Sequence, residues 1–151
     1  MLLSRIGVST DVSKRMIEIA NSKLGDRPAG AVSFRQAEAS QMVGDEPFDA
    51  ICAFSLLHLV GDVHEVLDVV YRQLKPGGLF ISKTVCLGDG FFGIRLLVRS
   101  LTAVGVAPKV VVLKRSQLVR HLKSAGFEIE TVTHFGRQKI NPFIVARRPL
   151  D

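Results

Sequence analysis

An α/β fold built on a mostly parallel sheet is what this sequence predicts, and three observations predict it. Between Phe48 and Ile81 the chain runs through an apolar strand, an amphipathic helix, a Pro-Gly-Gly turn and a second apolar strand. The second strand is apolar at nearly every position instead of alternating, as expected when helices cover both faces of a parallel sheet. At 151 residues, with 47% hydrophobic and 23% charged side chains, residues 1–151 are expected to form one domain with a real core.

The elements follow in order. Residues 5–10, Arg-Ile-Gly-Val-Ser-Thr, read as a short buried strand. A helix comes next with Met16, Ile17, Ala20 and Leu24 on one side, capped by Ser13 and ended by Gly25. A second strand is expected at 31–35, and Gly44, Asp45, Glu46 and Pro47 punctuate the chain before a third at 48–55. The clearest helix is 62–74, because Val63, Val66, Leu67, Val70 and Leu74 fall on one stripe; Asp62 with Glu65 three residues on resembles a capping box. Pro76, Gly77 and Gly78 should stop that helix in a sharp reversal, since proline cannot continue the ladder and glycine accepts left-handed geometry. A strand at 79–87, an apolar insert at 91–104, a helix at 116–125 ended by Gly126, and strands at 127–135 and 143–146 complete the chain.

Charge and cysteine content exclude several classes. The formal net charge of +6 is uneven: residues 1–85 carry nine Lys or Arg against ten acids, and residues 86–151 carry eleven against four. These cations are scattered, with no aromatics interleaved for base stacking, so a solvated basic face is preferred over a nucleic-acid surface. Arg95, Arg99, Pro108 and Lys109 interrupt the most apolar stretch and exclude a membrane span there. Cys52 and Cys86 lie inside apolar strand-like runs and are too few for a disulfide scaffold or a four-ligand zinc site; a reducing, cytoplasmic setting fits them. His64, His121 and His134 show no ligand spacing, so no metal is expected.

Six landmarks stand in order along almost the whole chain: Asp11-Val12-Ser13 with Met16, Ala37-Glu38-Ala39, Phe48-Asp49-Ala50-Ile51, Leu56-Leu57-His58-Leu59, Leu74-Lys75-Pro76-Gly77-Gly78, and Ala125-Gly126-Phe127. Together they resemble the class I methyltransferases that use S-adenosylmethionine. The resemblance implies a Rossmann-like methyltransferase sheet with helices on both faces and a C-terminal antiparallel strand pair. It implies methyl transfer from S-adenosylmethionine to a small-molecule acceptor.

Carried over position by position, the resemblance gives Asp11 the ribose hydroxyls, which an ionised carboxylate can grip with two acceptor oxygens. Val12 would pack on the adenine or ribose. Glu38 would read the adenine amino group and Ala39 would let the base lie flat, although the family often has the shorter Asp at the first of these. Phe54 and Ser55 sit at the carboxyl edge of the third strand, where open parallel sheets bind ligands. His58 follows that edge and is the candidate general base, since imidazole titrates near neutral pH; the competing reading is a half-buried histidine with one satisfied nitrogen. For Asp11 and Glu38 the competing readings are a turn or cap residue and an exposed loop glutamate.

The resemblance also implies a departure. The family's first strand, acidic glycine loop and first helix have no counterpart, because only ten residues precede Asp11 and Gly7 is the single glycine among them. That strand would lie between those at 5–10 and 48–55. Three outcomes are therefore open: direct pairing of the flanking strands, a gap filled by another chain, or a remnant of a longer protein. The insert at 91–113, with Phe91, Phe92, Ile94, Leu97, Leu101 and Val104, occupies the place of a substrate cover. It suits a lipophilic or aromatic acceptor whose anionic group meets Arg95 or Arg99; a core element or a homo-oligomer face is the alternative. A non-catalytic interaction or regulatory domain on the same scaffold and a nicotinamide-dependent dehydrogenase are the rival functions.

Overall fold

The structure, a computed structural model, describes residues 7–24, 32–41, 46–89, 111–134 and 140–150. The element order is β1 (Gly7–Asp11), α1 (Lys14–Leu24), β2 (Val32–Gln36), β3 (Phe48–Phe54), α2 (Val63–Gln73), β4 (Leu74–Lys83), α3 (Arg115–Ser124), β5 (Glu128–His134) and β6 (Pro142–Arg147), with 3₁₀ turns at Ala39–Gln41 and Leu87–Asp89. This is the α/β, Rossmann-like arrangement the sequence predicts. Contacts divide the chain into two compact units, Met1–Met42 and Val43–Asp151. The expected end of α1 at Gly25 and the apolar insert with Phe91, Phe92, Ile94, Arg95, Leu97, Arg99, Leu101 and Val104 lie outside the described residues.

In the first unit β1 and β2 pair in parallel, from Gly7 opposite Val32 to Asp11 opposite Gln36. The connection is the helix α1, as a parallel pair requires. Ser13 caps it: the Met16 amide donates to Ser13 Oγ at 3.3 Å, and the Ile17 amide donates to the Ser13 carbonyl at 3.1 Å. Ile17, Ala20 and Leu24 are half-buried, as the periodicity predicts. Met16 departs from that expectation at 51% exposed. Successive helical residues differ by about 100°, so Met16 turns away from the Ile17 stripe and aligns with the exposed Ile19 three residues on.

The second unit holds a four-stranded sheet in the order β3-β4-β6-β5. β3 and β4 are parallel, while β6 runs antiparallel to both β4 and β5. The predicted C-terminal antiparallel pair is therefore present, and the carboxyl ends of β3, β4 and β5 share one edge of the sheet. Among the described residues β1 pairs with β2 in the first unit and β3 with β4 in the second.

Helix α2 buries Val63, Val66, Leu67, Val69 and Val70, with Leu74 fully buried just beyond, which is the predicted stripe. Asp62 caps it by accepting from the amides of His64 at 2.7 Å and Glu65 at 3.3 Å. Leu118 and Leu122 of α3, Phe80 of β4 and Ile144 of β6 are fully buried. Phe127 links the layers: its ring lies 5.7 Å from that of Phe80 and meets Tyr71 edge-on at 5.1 Å.

The Lys75-Pro76-Gly77-Gly78 segment corrects the sequence reading. It is an irregular stretch within β4, not a turn ahead of it. Phe48 opposes Leu74 and Ala50 opposes Leu79, so β4 spends five steps where β3 spends two. Gly77 absorbs the extra length at φ 76, and the C-terminal tail holds it, since its amide donates to the Arg148 carbonyl at 2.9 Å and Arg148 donates back to Gly78. β4 also ends at Lys83 rather than residue 87, although the Thr84 and Cys86 amides still donate to the Pro142 and Ile140 carbonyls before the Leu87–Asp89 turn.

The α2–α3 contact makes stability pH-dependent. His64 and His121 meet edge to face with ring centroids 4.3 Å apart. Burial, then His64 and Arg120, push His121 below its ordinary 6.5, with Asp62 opposing them. Burial also pushes His58 down from 6.5. A histidine depressed in the folded state binds fewer protons there than when unfolded, so its contribution is complete above 6.5 and is lost as pH falls below that value. Urea midpoints should therefore drop between about pH 7.5 and about pH 5.5, and His121→Gln should flatten that drop; an unchanged slope in the variant would remove His121 as a cause.

Candidate functional site

The carboxyl ends of β1 and β2 are adjacent because the two strands are parallel and in register, and this brings the first group of candidates together. Asp11 is the last residue of β1, and its carbonyl accepts from the Ala37 amide at 3.2 Å, carrying the pairing one step past Gln36. Glu38 follows, and the 3₁₀ turn Ala39–Gln41 closes behind it with the Gln41 amide donating to the Glu38 carbonyl at 3.0 Å. A cavity of about 260 Å³ opens there, lined by Val12, Gln36, Ala37, Glu38 and Gln41. Complete small-molecule sites span roughly 300–1,000 Å³. This volume therefore suits one portion of a ligand.

Asp11 borders this region without lining the cavity. Its Oδ1 accepts from the Ser13 amide at 2.7 Å, an Asx-type turn that fixes the carboxylate at the strand end. One oxygen is thus engaged, and Oδ2 keeps its full acceptor capacity. Val12 is 63% exposed and lines the cavity, which a packed core valine would not do. Ala39 is half-buried in the 3₁₀ turn, and Ala37 is the small residue on the wall in its place.

Sequence reading missed Gln36 and Gln41. Gln36 Nε2 donates to the Val12 carbonyl at 3.1 Å, tying the turn after β1 to the end of β2. A polar residue at the end of a strand beside a known candidate is the signal that could have found it. Gln41 gave no signal, because nothing in the sequence announces the 3₁₀ turn that returns it to Glu38.

The second group belongs to the other unit. Phe54 ends β3 and is 58% exposed. Ser55 follows at φ 53, in the left-handed region that a non-glycine residue enters at a cost of order 1–3 kcal/mol. Its amide donates to the Lys83 carbonyl at 2.8 Å, so the strain falls on the last ladder bond at the carboxyl edge. His58 is half-buried; its carbonyl accepts from the Val111 amide at 2.8 Å, and its Nδ1 is buried with no hydrogen-bond partner. Burial favours the neutral imidazole, which can accept a proton but is a weaker base than an exposed one.

Electrostatics elsewhere are quieter. Cys86 is buried, and burial, then Asp89, push its thiol up to about 11 against the pull of Arg115, so it is unreactive. Cys52 and Cys86 are free thiols. Among the described residues no group of three or more His, Cys, Asp or Glu could hold a metal ion, and no helix is long and apolar enough to cross a membrane.

The family model for a methyltransferase domain matches residues 3–82. A curated relative, the highly reducing polyketide synthase easB of Emericella nidulans, is 31% identical over 90 residues, covering 56% of this chain. The chain spans 4% of that protein's length. Among solved structures, an S-adenosylmethionine-dependent methyltransferase from Methanosarcina mazei superposes with a TM-score of 0.74 at 19% identity, covering 97% of this chain and 83% of that one. One from Mesorhizobium loti gives 0.72 at 21% identity, covering 95% and 81%. The N-methyltransferase NodS from Bradyrhizobium japonicum, in complex with S-adenosyl-L-homocysteine, gives 0.69 at 16% identity, covering 94% and 66%. At these identities the structures establish a shared fold.

Proposed function

Because this chain belongs to the methyltransferase domain family, we propose that it holds S-adenosylmethionine at the carboxyl ends of β1 and β2 and transfers the methyl group to a small-molecule acceptor. The observation that supports this reading is the cavity at adjoining ends of two parallel strands, with Glu38 among its lining residues and Asp11 next in the chain to the lining residue Val12. The donor set fits the ligand. Two vicinal hydroxyls need an acceptor, which Asp11 Oδ2 offers, and an exocyclic amine needs another, which Glu38 offers.

In this reading Asp11 holds the ribose, Val12 packs on the nucleoside, and Glu38 reads the adenine amino group. Ala39 keeps the turn narrow beside the base. Phe54 and Ser55 form the carboxyl edge of β3 and His58 is the candidate general base; all three belong to the second unit. When bound, the cofactor supplies an electrophilic methyl on sulfonium, whose C–S bond breaks as the bond to the acceptor's nucleophile forms. The protein's task is then mostly alignment, because in-line placement supplies much of the acceleration. The sequence of the 91–113 insert favours a lipophilic or aromatic acceptor, with Arg95 or Arg99 meeting an anionic group. Free thiols at both cysteines favour a reducing, cytoplasmic setting.

Calorimetric titration with S-adenosylhomocysteine tests the reading. Saturable heat is expected, together with stabilisation of about 2.7 kcal/mol at a ligand concentration one hundred times the dissociation constant. Absence of both at millimolar ligand would overturn it, and protection by NAD in its place would assign the site to a nicotinamide nucleotide.

A further inference from the structure

Helices α2 and α3 bring two histidines into direct contact. His64, the second residue of α2, and His121 of α3 lie far apart in the chain, so no ligand spacing marks them in the sequence. Their ring centroids nevertheless stand 4.3 Å apart, with the ring planes at 88°. Each is anchored by a buried neighbour, since Val63 precedes His64 and Leu122 follows His121. The pair is therefore carried on two packed helices, which hold a site more precisely than loops do.

An edge-to-face contact could be made as well by two phenyl rings. Imidazole adds a lone pair in the plane of the ring, and two such lone pairs at this separation can meet on one ion. At the usual Zn–N distance of about 2.0–2.1 Å, two imidazoles on one ion hold their centroids roughly 4.5–5 Å apart, and perpendicular rings satisfy that arrangement. The observed separation needs only a small rotation, which the broad outer torsion of histidine supplies.

The surroundings suit a neutral ligand pair. Burial pushes His121 toward its uncharged form, which keeps a ring nitrogen free to donate its lone pair. Asp62 and Arg120 act on His121 in opposite senses, and Asp62 Oδ1 is already engaged by the amides of His64 and Glu65. The imidazoles, not a cluster of carboxylates, are thus the available ligands. Such ligands select Ni²⁺, Cu²⁺ or Zn²⁺, whereas Mg²⁺ and Ca²⁺ take oxygen.

We propose that His64 and His121 together bind one divalent transition-metal ion of the nickel, copper or zinc class, with water completing its coordination, and that this ion braces α2 against α3. The site lies wholly in the second unit and does not depend on the adenosyl reading.

Nickel titration of the chelator-treated full chain tests this, in a Cys52→Ser background so that the exposed thiol does not compete. Calorimetry is expected to show a single Ni²⁺ bound per chain, and the thermal midpoint should rise with Ni²⁺ but not with the same concentration of Mg²⁺. His64→Gln and His121→Gln, made separately, should each weaken Ni²⁺ binding by at least about 10-fold, because losing even an outer-shell partner of a metal costs that much. Each should also abolish the rise in midpoint. His64 is exposed, so its variant should keep the metal-free melt of the parent, which separates loss of a ligand from loss of fold. Undiminished affinity in either variant, no binding at millimolar Ni²⁺, or an equal midpoint rise with Mg²⁺ would each overturn the site.

Discussion

Phe80→Ala is expected to cost about 3–5 kcal/mol of folding free energy. Phe80 is fully buried in β4, opposite Ile51 on β3 and Ala146 on β6, and its ring stacks against Phe127. Removing it deletes the transfer free energy of a large side chain and leaves a cavity that the ladders on both sides of β4 prevent from collapsing. Domains of this size are stable by only about 5–15 kcal/mol, so the loss takes a large share of the total. A thermal melt followed by circular dichroism should show a midpoint lower by on the order of 10 °C or more. Phe80→Leu keeps most of the volume and should recover over half of the loss. A shift within about 2 °C for Phe80→Ala would mean that the Phe80–Phe127 stack does not hold the two layers together.

Asp11→Asn carries the largest expected effect on ligand binding. The amide keeps an oxygen to accept from the Ser13 N–H, so the turn at the end of β1 survives while the charge is lost. Hydrogen bonds to a charged group are worth about 1.5–3 kcal/mol. The dissociation constant for S-adenosylhomocysteine should therefore rise roughly 10- to 150-fold. Asp11→Ala should match or exceed that rise and also loosen the turn, which makes Asn the cleaner probe. An unchanged dissociation constant in Asp11→Asn, with an unchanged melt, would take Asp11 out of the site and leave it as a turn residue.

The elements most legible in the sequence were those whose signals were local and redundant. Helix α2 was readable because its apolar stripe and its Asp62 cap agree. Asp11 and Glu38 came from the resemblance, and they lie at or just beyond the adjoining carboxyl ends of β1 and β2, which with α1 make a parallel unit. The irregular stretch at Lys75–Gly78 was not readable as such. A Pro-Gly-Gly run signals a break in regular geometry, but whether the break lies before the strand or inside it depends on the Phe48 and Leu74 pairing, a long-range contact.

What the chain's order of residues determined by itself is the periodicity of each segment, the capping of its helices and the family to which its landmarks belong. The first two are set by neighbours within a few residues along the chain, and the third by the order of short local motifs from Asp11 to Phe127. Only the tertiary structure decided which side chains meet. Gln41 returns to Glu38 through one turn, Gln36 ties down the Val12 carbonyl, and Ser55 takes a left-handed conformation to keep its bond to Lys83. Each of these depends on where a second strand or turn arrives in space, and a hydrogen bond formed across such a separation leaves no pattern in the residues that flank it.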